Sequence, residues 1–260
     1  MSEIQRPGAL YQQVAAAIRD AILAGEFTPG APLPSEAQLI DRYKVSRPTV
    51  RNAIAALRAE GLIDVQHGKG SFVRALPAPT LTINRSVASD GKKFTTGDDT
   101  SWLPADPPTV FRTTTSKVTG PLLGLAEGEA LFGCDWLLVD PKSGTQWMHR
   151  VLIPFATAEG TPLADGPGRR PASIYAILTK AGHELTWTET VTARMPLPDE
   201  RAALEIPDAT PLLHTTRTTH GTNDQPLLLE ELRVSADRAQ VAYRITADKA
   251  LTPHGADGQP

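Results

Sequence analysis

Residues 33–73 read LPSEAQLIDRYKVSRPTVRNAIAALRAEGLIDVQHGKGSFV. Their spacing predicts two short helices, a tight turn and a two-stranded hairpin. Ser46 is placed to cap the second helix, since its hydroxyl can accept a backbone N–H that has no partner inside the helix. Pro48 falls in the first turn, where a missing N–H costs little. Val50, Ile54 and Leu57 follow three-and-four spacing and define an inward face. Arg47, Arg51 and Arg58 lie on the other side, with Thr49 near the exposed tip. Gly61 suits a left-handed stop. Upstream, Ser35 caps a shorter helix, Glu36 to Tyr43, whose Leu39 and Ile40 face the core. Lys44, Val45 and Ser46 form the turn, and Val45 plugs the space between the helices.

After Gly61 the pattern changes period. Leu62, Ile63 and Val65 suit a strand, His67-Gly68-Lys69-Gly70 a hairpin tip, and Phe72 and Val73 a returning strand. Two glycines around Lys69 let the backbone approach a polyanion, and the lysine can meet phosphate. Any hairpin tip uses glycines, so it is their place directly after this helix pair that gives them weight. Before the quoted stretch, Leu10 to Ala24 is an amphipathic helix with Val14, Ile18 and Ile22 at four-residue spacing and Gly25 at its end. Phe27 to Pro34 is a proline-containing loop, and residues 1–8 read as frayed.

Length 260 predicts two domains, and 40% apolar content is enough for ordinary cores. The net charge of −3 hides an asymmetry. Residues 1–76 hold nine Lys+Arg against seven Asp+Glu, a balance of +2, while the remainder, with 17 against 22, carries −5. A slightly basic head on an acidic body fits a DNA reader that should not stick to DNA everywhere. The single cysteine, Cys134, reads as a buried apolar side chain rather than a redox sensor, and a reducing cytoplasm is the simpler assignment. No signal peptide is recognised, and no apolar run approaches the ~20 residues that span a bilayer. No metal-ligand cluster, nucleophile elbow or phosphate loop appears, so no cofactor and no catalysis are expected.

The proline-rich run Ala75-Leu76-Pro77-Ala78-Pro79 marks a connector. Beyond it, Leu81 to Val87 reads as a strand and Ala88 to Pro108 as a long loop. Strands follow over Thr109 to Lys117, Ala130 to Val139, Thr145 to Ile153, Leu185 to Met195, Leu212 to His220, Leu227 to Val234 and Gln240 to Thr246. Short helices are expected over Leu122 to Leu125, Ser173 to Ala181 and Asp199 to Leu204, and the chain beyond about 251 as a disordered tail. Leu125, Leu131 and Trp136 recur as Ile206, Leu212 and Arg217 at a constant offset of 81 residues. This echo predicts a duplicated strand-helix unit that closes one antiparallel sheet and can hold a ligand against its covering helices.

The stretch from Leu10 to Val73 resembles the winged helix-turn-helix of the GntR family of bacterial transcription regulators. The residues that carry the likeness are Leu33-Pro34-Ser35-Glu36, Val45-Ser46-Arg47, Thr49-Val50-Arg51, Glu60-Gly61-Leu62-Ile63 and His67-Gly68-Lys69-Gly70. Behind it, Leu122 to Pro154, Ser173-Ile174-Tyr175 with Gly182, and Asp237-Arg238 resemble the effector-binding domain of the HutC subfamily, similar in fold to chorismate lyase. The resemblance implies an α+β protein. A winged helix-turn-helix DNA-binding domain, residues 1–76, is joined to an antiparallel-sheet effector-binding and dimerisation domain, residues 80–248.

It also implies a homodimer that binds a double-stranded DNA operator as a repressor and responds to a small-molecule effector. The DNA-binding set is then Ser35, Glu36, Arg47, Thr49, Arg51, His67, Gly68, Lys69 and Gly70. Ala37 sits where some members carry a DNA-contacting arginine, so that contact is absent. Each candidate has a plainer reading: a solvated helix face for the arginines, a helix start for Thr49, hairpin packing for His67, and surface charge for Arg42 and Lys44. In the body, Arg150, Ser173, Tyr175 and Glu230 are the effector candidates, with a helix cap as the plainer reading of Ser173, packing of Tyr175 and a solvated strand face of Glu230. Glu231 and Arg233 share the reading given to Glu230.

Relatives that bind amino-sugar phosphates carry two arginines on the first core strand and glutamates on two later ones. In this register those places hold Asp135, Leu137, His149 and Leu228, so the phosphate cradle is dismantled. Burying a phosphate without those groups is costly, which argues against a phosphosugar. The alternative is a ligand-independent repressor, for instance of plasmid or mobile-element transfer genes, whose body only dimerises.

Overall fold

A computed structural model describes residues 9–66, 68–75, 81–91, 93–96 and 103–245. In the head, α1 (Leu10–Leu23), α2 (Glu36–Tyr43) and α3 (Arg47–Ala59) precede the antiparallel pair β1 (Ile63–Gln66) and β2 (Gly70–Val73). Both expected caps form. Ser35 Oγ accepts from Gln38 N at 3.3 Å while Gln38 bonds back to Ser35 N, and Ser46 Oγ accepts from Thr49 N at 3.4 Å. Lys44 supplies the left-handed residue of the turn at φ 53°, and Gly61 ends α3 at φ 74°.

Val50, Ala53 and Leu57 are the buried stripe of α3, packed with Val14 and Ile18 of α1, Leu39 of α2 and Ile63 of β1. Each large aliphatic side chain in this cluster contributes about 1.5–3 kcal/mol on burial. That stripe fixes how α3 is rotated. Arg47, Pro48 and Arg51 stay exposed on its other side.

In the body, β3 (Leu81–Asn84), β4 (Val87–Ser89), β5 (Phe94–Thr96) and β6 (Leu103–Pro104) come first. The duplicated unit follows. Its first copy is β7 (Thr109–Thr114), α4 (Thr119–Leu122), β8 (Ala130–Val139) and β9 (Gln146–Pro154). Next come α5 (Phe155–Ala158) and α6 (Pro171–Lys180). The second copy is β10 (Thr186–Arg194), α7 (Pro198–Ala203), β11 (Leu212–His220) and β12 (Pro226–Ser235), followed by β13 (Ala239–Ala242). The sheet runs β10-β11-β12-β9-β8, with β7 and β6 both pairing with β8, so the two copies meet at β9 and β12. The 81-residue echo is structural. Leu123, Leu125 and Leu131 pack together under α4, and their counterparts Leu204, Ile206 and Leu212 pack together after α7.

Several expectations are corrected. Ala88 to Pro108 is not a single loop: β4 and β5 form a hairpin, and β6 adds to the sheet. The strand expected to run to Val87 stops at Asn84, and β3 pairs in parallel with β13. The turn of helix expected from Leu122 lies earlier, at Thr119–Leu122. The connector prolines Pro77 and Pro79, the frayed start and the tail beyond 251 lie outside the described residues.

The head is pinned to the body by Arg74, only 8% exposed. Its guanidinium donates to the Asp208 carbonyl at 3.0 Å, to Asp237 Oδ2 at 3.0 Å and to the Thr210 hydroxyl. Asp237→Ala leaves that buried cation without its counter-ion, a loss of about 3–5 kcal/mol. Chemical denaturation is expected to show the head and body losing cooperativity. A single unchanged transition would contradict the clamp.

Candidate nucleic-acid interface and effector face

Six of the nine DNA-binding candidates line one groove of about 710 Å³ between the start of α2, α3 and the hairpin: Ser35, Glu36, Arg51, Gly68, Lys69 and Gly70. Gly68 and Gly70 have φ of 74° and 108°, and an added Cβ would touch nothing within 4 Å, so backbone conformation rather than crowding calls for glycine there. Lys69 is exposed at the tip between them. His67 lies outside the described residues.

Arg47 and Arg51 flank Glu36. Arg51 Nε donates to its carboxylate at 3.0 Å, and Arg47 Nε lies 3.9 Å from it. Both arginine side chains remain 64% exposed. An exposed ion pair of this kind is worth about 0–1 kcal/mol. Glu36 therefore aims the guanidinium groups without preventing their transfer to phosphate or guanine. Thr49 is half-buried and its hydroxyl lies 2.8 Å from that of Ser46, so it serves the helix start from a place beside the arginines.

Two basic residues are engaged elsewhere. Arg42 pairs with Glu26 at 2.8 Å and stands over the Phe27 and Tyr43 rings. Arg58, expected on the outward side of α3, reaches the body and pairs with Asp208, which also accepts from Arg201 at 2.5 Å. The Arg58 guanidinium holds the Asp208 carboxyl below the usual range. Sequence reasoning missed this head–body contact, because nothing local marks a partner 150 residues away.

Register assigns the effector candidates between the two faces of the sheet. Val151, Glu230, Arg217 and Glu189 pair across strands and share the α6 side with Cys134. Asp135, Arg150 and Glu231 share the opposite side. Tyr175 of α6 is fully buried and donates to the Glu230 carboxylate at 2.5 Å; His149 Nε2 lies 3.6 Å from the same group. Burial works against the charge of Glu230, but His149, Arg217 and Arg85 outweigh it and hold its carboxyl down at about 2.

The structure thus brings Tyr175 and Glu230 together. Arg150 is separated from them, on the far face, doubly bonded to Asp135 at 2.7 Å. Ser173 is exposed on α6, whose cap position belongs to Arg170, so it does not cap its helix. Glu230 is buried, not on a solvated strand face. On the first core strand Asp135 and Leu137 face away from α6 and Cys134 and Trp136 face it, and none of the four is a cation. Phe94, Tyr175 and Trp187 meet edge to face at 5.3–6.2 Å and fill the space over Glu230. The Cys134 thiol, 1% exposed, is pushed up to about 12 by burial and by Asp135, so it is a structural side chain.

Two family patterns match separate stretches of the chain. The sequence pattern of bacterial regulatory proteins of the gntR family matches residues 10–73, and that of the UTRA domain matches residues 158–240. An HTH-type transcriptional regulator of Streptomyces coelicolor is 30% identical over 235 residues, covering 82% of this chain and 84% of that one. The chain belongs to the GntR family. It is a DNA-binding transcription regulator with the head-and-UTRA order of the HutC subfamily, and not an enzyme. An HTH-type transcriptional regulator of Mycobacterium tuberculosis is 48% identical over 63 residues, 24% of this chain and 26% of that one. A solved GntR-family regulator shares the fold with a TM-score of 0.69 at 23% identity, covering 93% of this chain and 99% of that one. Among the described residues, no helix is long and apolar enough to cross a membrane.

Two outcomes follow. Arg51→Ala removes a contact from the DNA side and is expected to cost about 1–3 kcal/mol of operator affinity, whereas Arg58→Ala, which faces the body, changes it far less. Gel-shift titrations in which the two substitutions act alike would contradict the assignment of faces. Glu230 and Glu231, both held at about 2 against an ordinary 4.5, contribute stability that is present above 4.5 and lost as pH falls toward 2. Glu230→Gln is expected to flatten that acid limb in denaturation curves taken across the window. An unchanged limb would contradict its charged state.

Proposed function

We propose that the protein is a homodimeric, cytoplasmic repressor whose affinity for its operator is set by a small molecule bound in the body. The observation that carries the reading is the shared outward face of Arg47 and Arg51 with the Lys69 tip beside it. Two such heads, related by a two-fold axis, fit the two half-sites of a near-palindrome. An operator so occupied is closed to other proteins. The proposed units are a DNA-binding head, residues 1–76, and an effector-binding and dimerisation body, residues 80–248. Within the head, Ser35, Glu36, Arg47, Thr49, Arg51, His67, Gly68, Lys69 and Gly70 form the contact set. Tyr175 and Glu230 are retained on the effector side as a buried pair that supports it.

The Arg74 clamp gives the body a mechanical hold on the head, since Asp208, Thr210 and Asp237 all belong to the body. A ligand that favours one arrangement of that clamp shifts DNA affinity by its differential affinity for the two states. A ligand-independent repressor, for instance of plasmid or mobile-element transfer genes, is the second reading. The aromatic filling over Glu230 favours it.

Arg47, Arg51 and Lys69 from two heads neutralise about six phosphates if all of them engage the backbone, so the log–log slope of affinity against salt is expected near −5. Lys69→Ala in both heads is expected to lower its magnitude by about 2. A flat salt response would contradict the interface. Selection of bound duplexes from random sequence tests the symmetry: a two-fold site supports the dimer, and an asymmetric single site contradicts it.

A further inference from the structure

The two edges of the body sheet are built differently. On one side β6 and β7 follow each other along β8, separated by Ala105-Asp106-Pro107-Pro108, and β6 itself ends in Pro104. Prolines and interruptions keep an edge from accepting another strand. On the other side β10 is a nine-residue strand, TWTETVTAR, with no proline, lysine or glycine. Its register with β11 is unbroken from Thr186 to Arg194. Among the described residues no strand pairs with its outer side. We propose that this edge is the dimerisation surface of the body: β10 pairs antiparallel with β10 of a second copy, so that one sheet runs through both.

An edge strand presents a row of backbone N–H and C=O groups that can continue the ladder. Here the exposed residues beside that row are Thr188, Thr190, Val191, Thr192 and Ala193, mostly β-branched and all uncharged. The two charged residues of the strand are engaged within the chain, Glu189 with Arg85 and Arg217, and Arg194 with Glu200. Pairing at this edge therefore brings no uncompensated charge to the seam.

The strand is also complementary to itself. A two-fold axis normal to the sheet keeps each face on its own side, so a residue meets only residues of its own alternation. Three central registers satisfy that condition. Centred on Glu189, the pairing sets two carboxylates directly opposite each other, which is destabilising. Centred on Thr190, it sets Val191 against Glu189. Centred on Val191, it sets Val191 against its own copy, Trp187 opposite Met195, and Thr190 opposite Thr192. Only this last register covers Val191 and Met195 with apolar partners, and these are 41% and 52% exposed in the single chain. The threonine pairs add cross-strand hydrogen bonds on the other face. The axis accordingly falls at Val191.

The seam lies close to the grip on the head. From Arg194 the chain enters α7, whose Arg201 shares Asp208 with Arg58 of α3. Each head is thus tied to the strand that forms the dimer, and its distance from the axis sets the half-site spacing it can read.

This inference rests on the homodimer reading but fails separately from it. Sedimentation of the full-length protein tests it, and the parent chain is expected to be dimeric. Val191→Lys and Val191→Glu, at an exposed position, each set like charges together on the axis and are expected to weaken the dimer about tenfold or more. An equimolar mixture of the two variants is expected to restore it, since opposite charges then meet. Val191→Cys is expected to give a disulfide-linked dimer under mild oxidation, because directly opposed Cα atoms lie about 4.5–5.5 Å apart, within disulfide range. Cys134 is buried and does not compete. Charge variants as dimeric as the parent, no rescue in the mixture, or no crosslink would overturn the edge. With a dimeric parent those results keep the homodimer and move its interface elsewhere. A monomeric parent would overturn both.

Discussion

The packing of α3 against α1 is the constraint on which the DNA-reading geometry depends. Val50, Ala53 and Leu57 are fully buried, and no other rotation of the helix hides all three. Once that stripe is committed, Arg47 and Arg51 have no interior to enter. The strengths are unequal in a useful way. Burial of the stripe is worth several kcal/mol, while the Glu36 pairing that aims the arginines is a surface contact worth about 0–1 kcal/mol. The scaffold is rigid where it sets direction, and its outward groups are weakly held where they must exchange partners.

The body solves a different problem with a repeated unit. Two β-α-β-β copies meet at β9 and β12, and each buries the same trio of aliphatic positions on the sheet side away from α6. The α6 side is where the copies diverge. The first is packed there with Trp136; the second carries Arg217 and Glu189, which meet Arg85 from the chain after β3. Ionic groups held this deeply cost several kcal/mol each unless every partner is in place. Their concentration in one copy is what distinguishes the two halves chemically.

The head was legible because its signals are local. Ser35 and Ser46 cap within three residues of themselves, and the hairpin glycines sit where positive φ is required. The duplication was legible because an offset of 81 survives in side-chain size. Facing in the body was harder to read. Both alternations of β8 carry apolar residues, so period two does not say which set meets α6. Arg150 therefore carries no mark in the sequence that it lies across the sheet from Tyr175. The Arg74–Asp237 clamp joins residues 163 apart: Asp237 stands out in the sequence, but nothing local names Arg74 as its partner.

The outward direction of α3 is open to a single direct measurement. Cys134 is the one cysteine and is buried, so Asn52→Cys, exposed beside Arg51, gives a unique attachment point for an iron chelate. Cleavage of operator DNA by that conjugate is expected at the centre of each half-site, with the offset between strands that marks the major groove. Cleavage confined to the ends of the duplex, or equal in specific and random DNA, would contradict the account.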